Sequence, residues 1–408
     1  MRARFALPLL ATLFFMWGLI TSLNDILVPH LRGVFSLNYA QAALIQFTFF
    51  IAYFIASLPA GALIGRVGYR SGIVIGLLVG AVGTLLFVPA SMFLSYALFL
   101  AALFVLATGM TILQVAANPY VTLIGEEDSA SSRLNLTQAF NSLGTTVGPA
   151  VVGRFILAHA PDQSPAERVR SVQGSYLGIT VILLLIAGVI ALSGLPQMKP
   201  ERSKESNSSL SGFRDAWRVP HLRLGVLAIF LYVGAEVTIG TFLIDFMRDS
   251  NMRGFSPDRA AFYVALYWGG AMVGRFLGAA AMKRIPARVL LGALAMGAII
   301  LVSVGSLGTG SVAVFSILAV GLMNSIMFPT IFALGVRHLG EKTSGGSGLL
   351  VMGVVGGAVF PMLAGLLADR VGVRHALLAV AVSYAYIAFY GFVGSSRDEG
   401  TEGVVVSV

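Results

Sequence analysis

A chain of 408 residues that is 57% hydrophobic and 11% charged, with a mean hydropathy of +0.87, cannot fold as a soluble globule, in which about a quarter of residues are charged. The formal net charge is +9, but the basic residues stand one to three at a time between apolar runs, without the aromatic-interleaved stripe of a nucleic-acid surface. With no cysteine in the chain, disulfides and thiolate metal sites are excluded.

A spanning helix needs about 20 mostly apolar residues. Arg2 and Arg4 before an apolar run resemble a secretory leader. The run passes through Asn24 and Asp25 with no small-residue cleavage site, so it reads as a retained first helix over 6–31. Further spans are predicted at 40–64, 71–91, 95–124, 134–158 and 173–195. A Ser-, Lys- and Glu-rich stretch from Gln197 to Arg218 reads as a solvated tether. Six more spans follow at 220–247, 258–283, 287–307, 311–338, 345–368 and 375–394. The expected architecture is an all-α membrane protein with twelve transmembrane helices in two pseudo-symmetric six-helix bundles. The bundles run over 1–196 and 219–408, with the linker 197–218 between them.

Most Lys and Arg residues fall on one side of this pattern, which puts both termini and the linker in the cytoplasm. The halves repeat weakly at an offset of 210 residues. Pro119 and Gly125 in "PYVTLIG" align with Pro329 and Gly335 in "PTIFALG", and Gln114 aligns with Asn324. Six-plus-six parallel repeats describe a transporter with its site at the midplane between halves.

"GALIGRVGYRSG" after the second span resembles the loop signature of the major facilitator superfamily. "NDILVP" (Asn24 to Pro29), "AANPYVT" (Ala116 to Thr122), "RLNLTQAFNSLG" (Arg133 to Gly144) and "YVGAEV" (Tyr232 to Val237) are similar to the fucose–galactose–glucose:proton symporter family. The resemblance covers essentially the whole chain. It implies sugar uptake by alternating access with a proton, and it implies that a first-helix aspartate, here Asp25, is a functional carboxylate. The glutamate of the fucose-permease branch on helix four is replaced by Gln114, and Glu236 stands where that branch has glutamine.

Of 18 acidic residues, only Asp25, Glu236 and Asp245 fall inside predicted spans, apart from Asp258 at the first residue of one. A charge at the bilayer centre costs ~3 kcal/mol or more, so an intramembrane carboxylate is functional by default. Asp25 shares a helix face with Trp17, Thr21 and Asn24 and reads as the proton carrier; the bland alternative is a fixed interhelical bond. Glu236 is a second titrating group, a sugar ligand or a structural partner of an arginine. Asp245 reads as a solvated helix end.

Neutral amides offer paired donors and acceptors that suit sugar hydroxyls. Gln114, Asn118, Gln138, Asn141 and Asn324 are therefore substrate candidates, against the alternative of interhelical glue. Asn135, on the same stripe, lies too near the cytoplasmic end. Trp17, Phe47, Tyr232, Tyr267 and Trp268 are candidates to stack on a sugar ring or to serve as packing. Arg66 and Arg70 read as gate latches or as plain positive-inside bias, and Arg275 reads as structure or gating.

The expected partners are a small-molecule sugar, a proton and the lipid bilayer, with a monomer in the plasma (cell inner) membrane. No enzyme motif, cofactor, metal or nucleic acid is expected. Sodium-coupled or passive carriage, drug export and a non-transporting sensor remain alternatives.

Overall fold

The computed structural model describes residues 3–35, 39–157, 165–198, 209–249 and 255–396. The first half consists of α1 (Ala3–Phe35), α2 (Tyr39–Val67), α3 (Tyr69–Met92), α4 (Tyr96–Leu123), α5 (Ala130–Leu157) and α6 (Pro165–Leu192). A short helix α7 (Ser209–Trp217) precedes the second half. That half consists of α8 (Pro220–Arg248), α9 (Pro257–Ala281), α10 (Ala287–Leu307), α11 (Gly310–Asn324), α12 (Met327–Val336), α13 (Thr343–Met352), α14 (Gly356–Val371), α15 (Val373–Leu378) and α16 (Val380–Phe392). Among the described residues there is no strand.

Nine of the described segments are long and apolar enough to cross a bilayer by themselves. The pairs α11–α12, α13–α14 and α15–α16 each make one of these passes. With α1, α5 and α9 the total is twelve. The polar side chains of Asn135, Gln138 and Asn141 on α5 and of Arg275 on α9 lower the hydropathy of those two helices.

Lipid chains are as apolar as leucine, so helices here associate through close packing and hydrogen bonds. Small residues make that packing possible. A Cβ added to Gly18 of α1 would lie 1.9 Å from the Asn141 carbonyl oxygen on α5, and one added to Gly144 would lie 2.1 Å from the Phe15 carbonyl. Helices α3 and α4 meet in the same way at Gly83 and Gly109. Gly68 serves a different need: its φ of 86° makes the turn from α2 into α3, a backbone conformation that only glycine adopts readily. Exposed Leu185, Leu192, Phe315 and Val382 belong to the lipid-facing surface.

The described contacts between halves run from mid-span to the end of the molecule that carries the linker. There α13 packs on α2 and α4, α9 on α5, and α12 on α5. Gly61 and Gly348 bring α2 and α13 together, and a Cβ on Gly348 would lie 2.8 Å from the Ser57 carbonyl. The linker end is therefore closed.

Two expectations change. The stretch 197–218 is more than a tether, because its described parts are built into the fold. Gln197 Nε2 donates to the Val67 carbonyl (3.2 Å) and Ser71 Oγ (2.9 Å). In α7, Phe213 sits against Gly61 of α2 and against Gly345 and Gly348 of α13. Residues 199–208 lie outside the described residues. The tenth pass is also broken rather than continuous: Ser325 and Ile326 form a turn between α11 and α12. Pro329 has no N–H, so the Ser325 carbonyl four residues earlier loses its helical partner.

Gly18→Ala tests the close packing. Although alanine is the better helix former, the clash with the α5 backbone should cost about 1–3 kcal/mol, as overpacking does. A lower melting temperature of the purified protein is expected; an unchanged one would show that α1 and α5 have room to separate.

Candidate functional site

Two groups of buried polar side chains stand one in each half, with Gln114 and Asn324 as their repeat-equivalent members. In the first half, Gln114 and Asn118 stand one turn apart on α4, buried, beside Gln138 of α5. Gln138 Nε2 donates to Asn118 Oδ1 at 3.4 Å. Gln114 Oε1 and Asn118 Nδ2 are buried without a partner among the described residues. Unspent buried polar atoms are rare and ask for an explanation such as ligand binding.

In the second half, Tyr232 and Glu236 lie one turn apart on α8. The Tyr232 hydroxyl is 2.7 Å from Glu236 Oε1 and 3.1 Å from the Asn324 carbonyl. Asn324 Nδ2 donates to the Tyr267 hydroxyl at 2.9 Å. All three of Tyr232, Tyr267 and Asn324 are buried.

Arg275 of α9 joins the groups. Its Nε donates to the Ser325 carbonyl at 2.9 Å, the one that Pro329 leaves free. Its Nη1 donates to Ser142 Oγ on α5, in the other half. Ser142 in turn donates to the Gln138 carbonyl at 3.0 Å. The equivalent proline, Pro119, leaves the Val115 carbonyl free. Ser347 of α13 donates to it at 2.8 Å, again across the halves.

The other candidates divide. Trp17 is buried against Phe14, with ring centroids 5.3 Å apart. Asn141 Nδ2 donates to the Phe14 carbonyl at 3.0 Å and ties α5 to α1. Trp268 and Phe47 are largely exposed. Asn24 and Asp25 belong to α1, and their side chains lie outside the described residues. Arg66 is exposed at the last turn of α2.

Arg70 holds carbonyls at the end of α6: those of Ile190 (3.2 Å), Leu195 (3.3 Å) and Ala191. These partners are all in the first half, so the expected latch between halves is here a bracket within one of them.

Sequence reading missed Ser142, Ser325, Ser347 and the contact of Asn135 with Thr330 Oγ1 across the halves (3.0 Å). It also missed Glu127, whose Oε1 meets Arg337 Nε at 3.2 Å and His338 Nδ1 at 3.3 Å. A signal existed for some of them. A mid-span proline predicts a free carbonyl four residues earlier, and Glu127 and Arg337 are 210 residues apart, the repeat offset already visible in the prolines.

Residues 9–359 match the family model of the Major Facilitator Superfamily. The chain belongs to this superfamily. A glucose/galactose transporter of Brucella abortus is 52% identical over 96% of the chain and 94% of its own length. The L-fucose-proton symporter of Escherichia coli is 36% identical over 93% of the chain and 90% of its own. Among solved structures, the E. coli fucose:proton symporter FucP superposes with a TM-score of 0.89, at 33% identity, covering 96% of this chain and 98% of the other. A second structure of FucP, described as in the outward conformation, matches equally well, at 34% identity over 96% and 99% of the two chains. As a member of this superfamily the chain is a multi-pass membrane transporter with the twelve-helix major facilitator fold.

Ser347→Ala tests the cross-half bond. It leaves the Val115 carbonyl unpaired at about 1–3 kcal/mol, a cost carried only by the closed linker end. A cysteine at Ser344, buried opposite Gly61 and Gly65 of α2, should then react faster with a maleimide. An unchanged rate would mean that this bond does not contribute to closure.

Proposed function

We propose that the chain imports a neutral sugar, a hexose or deoxyhexose, together with a proton by alternating access. The observation that carries this reading is the pairing of unspent neutral amides, Gln114 and Asn118, in one half with a partly buried carboxylate, Glu236, hydrogen-bonded beside Asn324, the repeat equivalent of Gln114, in the other. Amides bind hydroxyls without asking for charge, and an intramembrane carboxylate couples transport to a proton. The names of the relatives, glucose/galactose transporters and an L-fucose-proton symporter, support the same reading.

In this reading Gln114, Asn118, Gln138, Asn141 and Asn324 contact the sugar, while Trp17, Tyr232 and Tyr267 wall the site. Asn24 and Asp25 contribute from α1, with Asp25 as the coupling carboxylate and Glu236 as a second titrating group. Gating belongs to Arg275, with Arg66 at the mouth. The halves 1–196 and 219–408 rock as units about the site. The linker end faces the cytoplasm of the cell inner membrane, as the Lys and Arg distribution supports, and the protein works as a monomer.

Purified protein in liposomes should accumulate sugar when the outside is acid, without sodium. Asp25→Asn should abolish accumulation yet preserve exchange, because exchange needs no net proton release. Accumulation driven by sodium alone would overturn proton coupling, and accumulation by Asp25→Asn would remove Asp25 from it.

Gln114→Ala should weaken sugar binding by about 1–3 kcal/mol, the cost of leaving buried polar groups unpaired, as read by ligand-induced thermal stabilisation. Unchanged affinity would place Gln114 outside the site.

A further inference from the structure

Arg275 stands between two calls on its charge. One is the cross-half acceptor Ser142, which it holds together with the Ser325 carbonyl. The other is Glu236, in its own half, which through Tyr232 reaches the Asn324 carbonyl, next along the chain to the Ser325 carbonyl that Arg275 holds; the two form no ion pair among the described residues. The other titratable groups around Glu236 are Tyr232 on α8, which bonds it, and the buried Tyr267 on α9 and Tyr384 on α16.

The hydrogen-bond count around Tyr232 says which form of Glu236 this arrangement suits. A phenol has one proton, yet the Tyr232 hydroxyl lies against two oxygens, Glu236 Oε1 and the Asn324 carbonyl. If Glu236 were ionised, both would be pure acceptors and one would be left short. With Glu236 protonated, the acid donates to the phenol oxygen and the phenol donates to the carbonyl. Both bonds are then complete, and the acid has no charge with which to draw Arg275 away.

We propose that Arg275 is the positioning residue that ties closure of the linker end to the protonation of Glu236, with the turn that Pro329 leaves in the tenth pass as the element they share. Tyr232 connects Glu236 to one carbonyl of the turn, Asn324, and Arg275 occupies the next, Ser325. When Glu236 is neutral, Arg275 stays on Ser142 and the halves remain closed at the linker end. When Glu236 loses its proton, the carboxylate competes for the guanidinium, the bond to Ser142 weakens and the halves can part. A carrier loaded with a proton alone is thereby held shut, which suppresses proton leak without sugar. This rests on the proton-coupled reading above and assigns it a relay.

The test uses the full chain in liposomes without sugar. Its readout is maleimide labelling of a cysteine at Ser344, with a cysteine at the exposed Lys283 as reference at each pH. The parent should label slowly at low pH and faster as pH rises. Glu236→Gln should label slowly at every pH. Arg275→Gln should label about 5-fold faster or more at low pH, the lower range of coupling between sites, with its pH dependence lost. The double variant should behave as Arg275→Gln.

If Arg275 only packs helices, its loss speeds labelling but leaves the pH slope intact, and that result overturns the proposal. So does a parent-like slope in Glu236→Gln. Should Arg275→Gln fail to fold, Ser142→Ala removes the competing acceptor and must likewise raise labelling at low pH and flatten the slope; a parent-like profile there overturns the relay. Because no sugar enters the assay, failure of the relay is distinct from failure of sugar transport, which the uptake assay decides.

Discussion

A backbone carbonyl in the middle of a bilayer has no water to bind, so a proline at that depth creates an acceptor that the protein itself must satisfy. Pro119 and Pro329 do this at equivalent places in the two halves. The Val115 carbonyl is taken by Ser347 from the opposite half. The Ser325 carbonyl is taken by Arg275, which reaches across to Ser142. Both freed carbonyls are therefore spent on closing the molecule. The same break exposes the Asn324 carbonyl to Tyr232 and brings Glu236 into the network. A defect in helix geometry becomes the junction where the carboxylate, the arginine and the opposing half meet.

Around that junction the packing leaves little slack. Gly61 and Gly348 allow α2 and α13 to touch, and Phe213 of α7 lies against both. Interfaces made of backbone contacts and short serine bonds are individually weak, about 0.6 kcal/mol per polar bond in membranes. A closed state held by several such bonds can be released by a modest electrostatic change. The exposed ion pair of Glu127 with Arg337, which His338 also contacts, adds little by itself and serves better to set register at the mouth.

The fold was largely legible because bilayer thickness imposes a length on every apolar run: nine described passes are apolar enough by themselves, and α1, α5 and α9 complete the twelve that the chain order predicts. The breaks were less legible. The turn at Ser325–Ile326 lies inside an unbroken apolar run, so only the missing N–H of Pro329 could reveal it. The helix α7 was obscured by a composition that reads as solvent-loving, while its anchoring depends on one aromatic, Phe213, meeting glycines that are distant in sequence. For the site, residue chemistry pointed to Gln114, Asn118, Gln138, Tyr232, Glu236 and Asn324, and the structure brings these into two groups. It could not separate Arg70, which brackets α3 to α6, from Arg275, which bridges the halves. Both are arginines near the same end, and partner choice is a property of three-dimensional register.

The repeat also divides labour. Gln114 and Asn324 are equivalent by offset, as are Glu127 and Arg337, so groups related by the pseudo-symmetry can meet across it. Their surroundings differ. On the first half's side the neighbours of Gln114 are neutral amides, Asn118 and Gln138. On the second half's side the neighbours of Asn324 are Tyr232, Tyr267 and, through the turn, Arg275. Neutral amides hold hydroxyls with an affinity that does not vary with pH, while a phenol, a carboxylate and a guanidinium rearrange when one proton moves. Here the described polar contacts differ between the halves: amide meets amide around Gln114, whereas a phenol and a carboxylate meet the carbonyl of Asn324 and a guanidinium holds the next one.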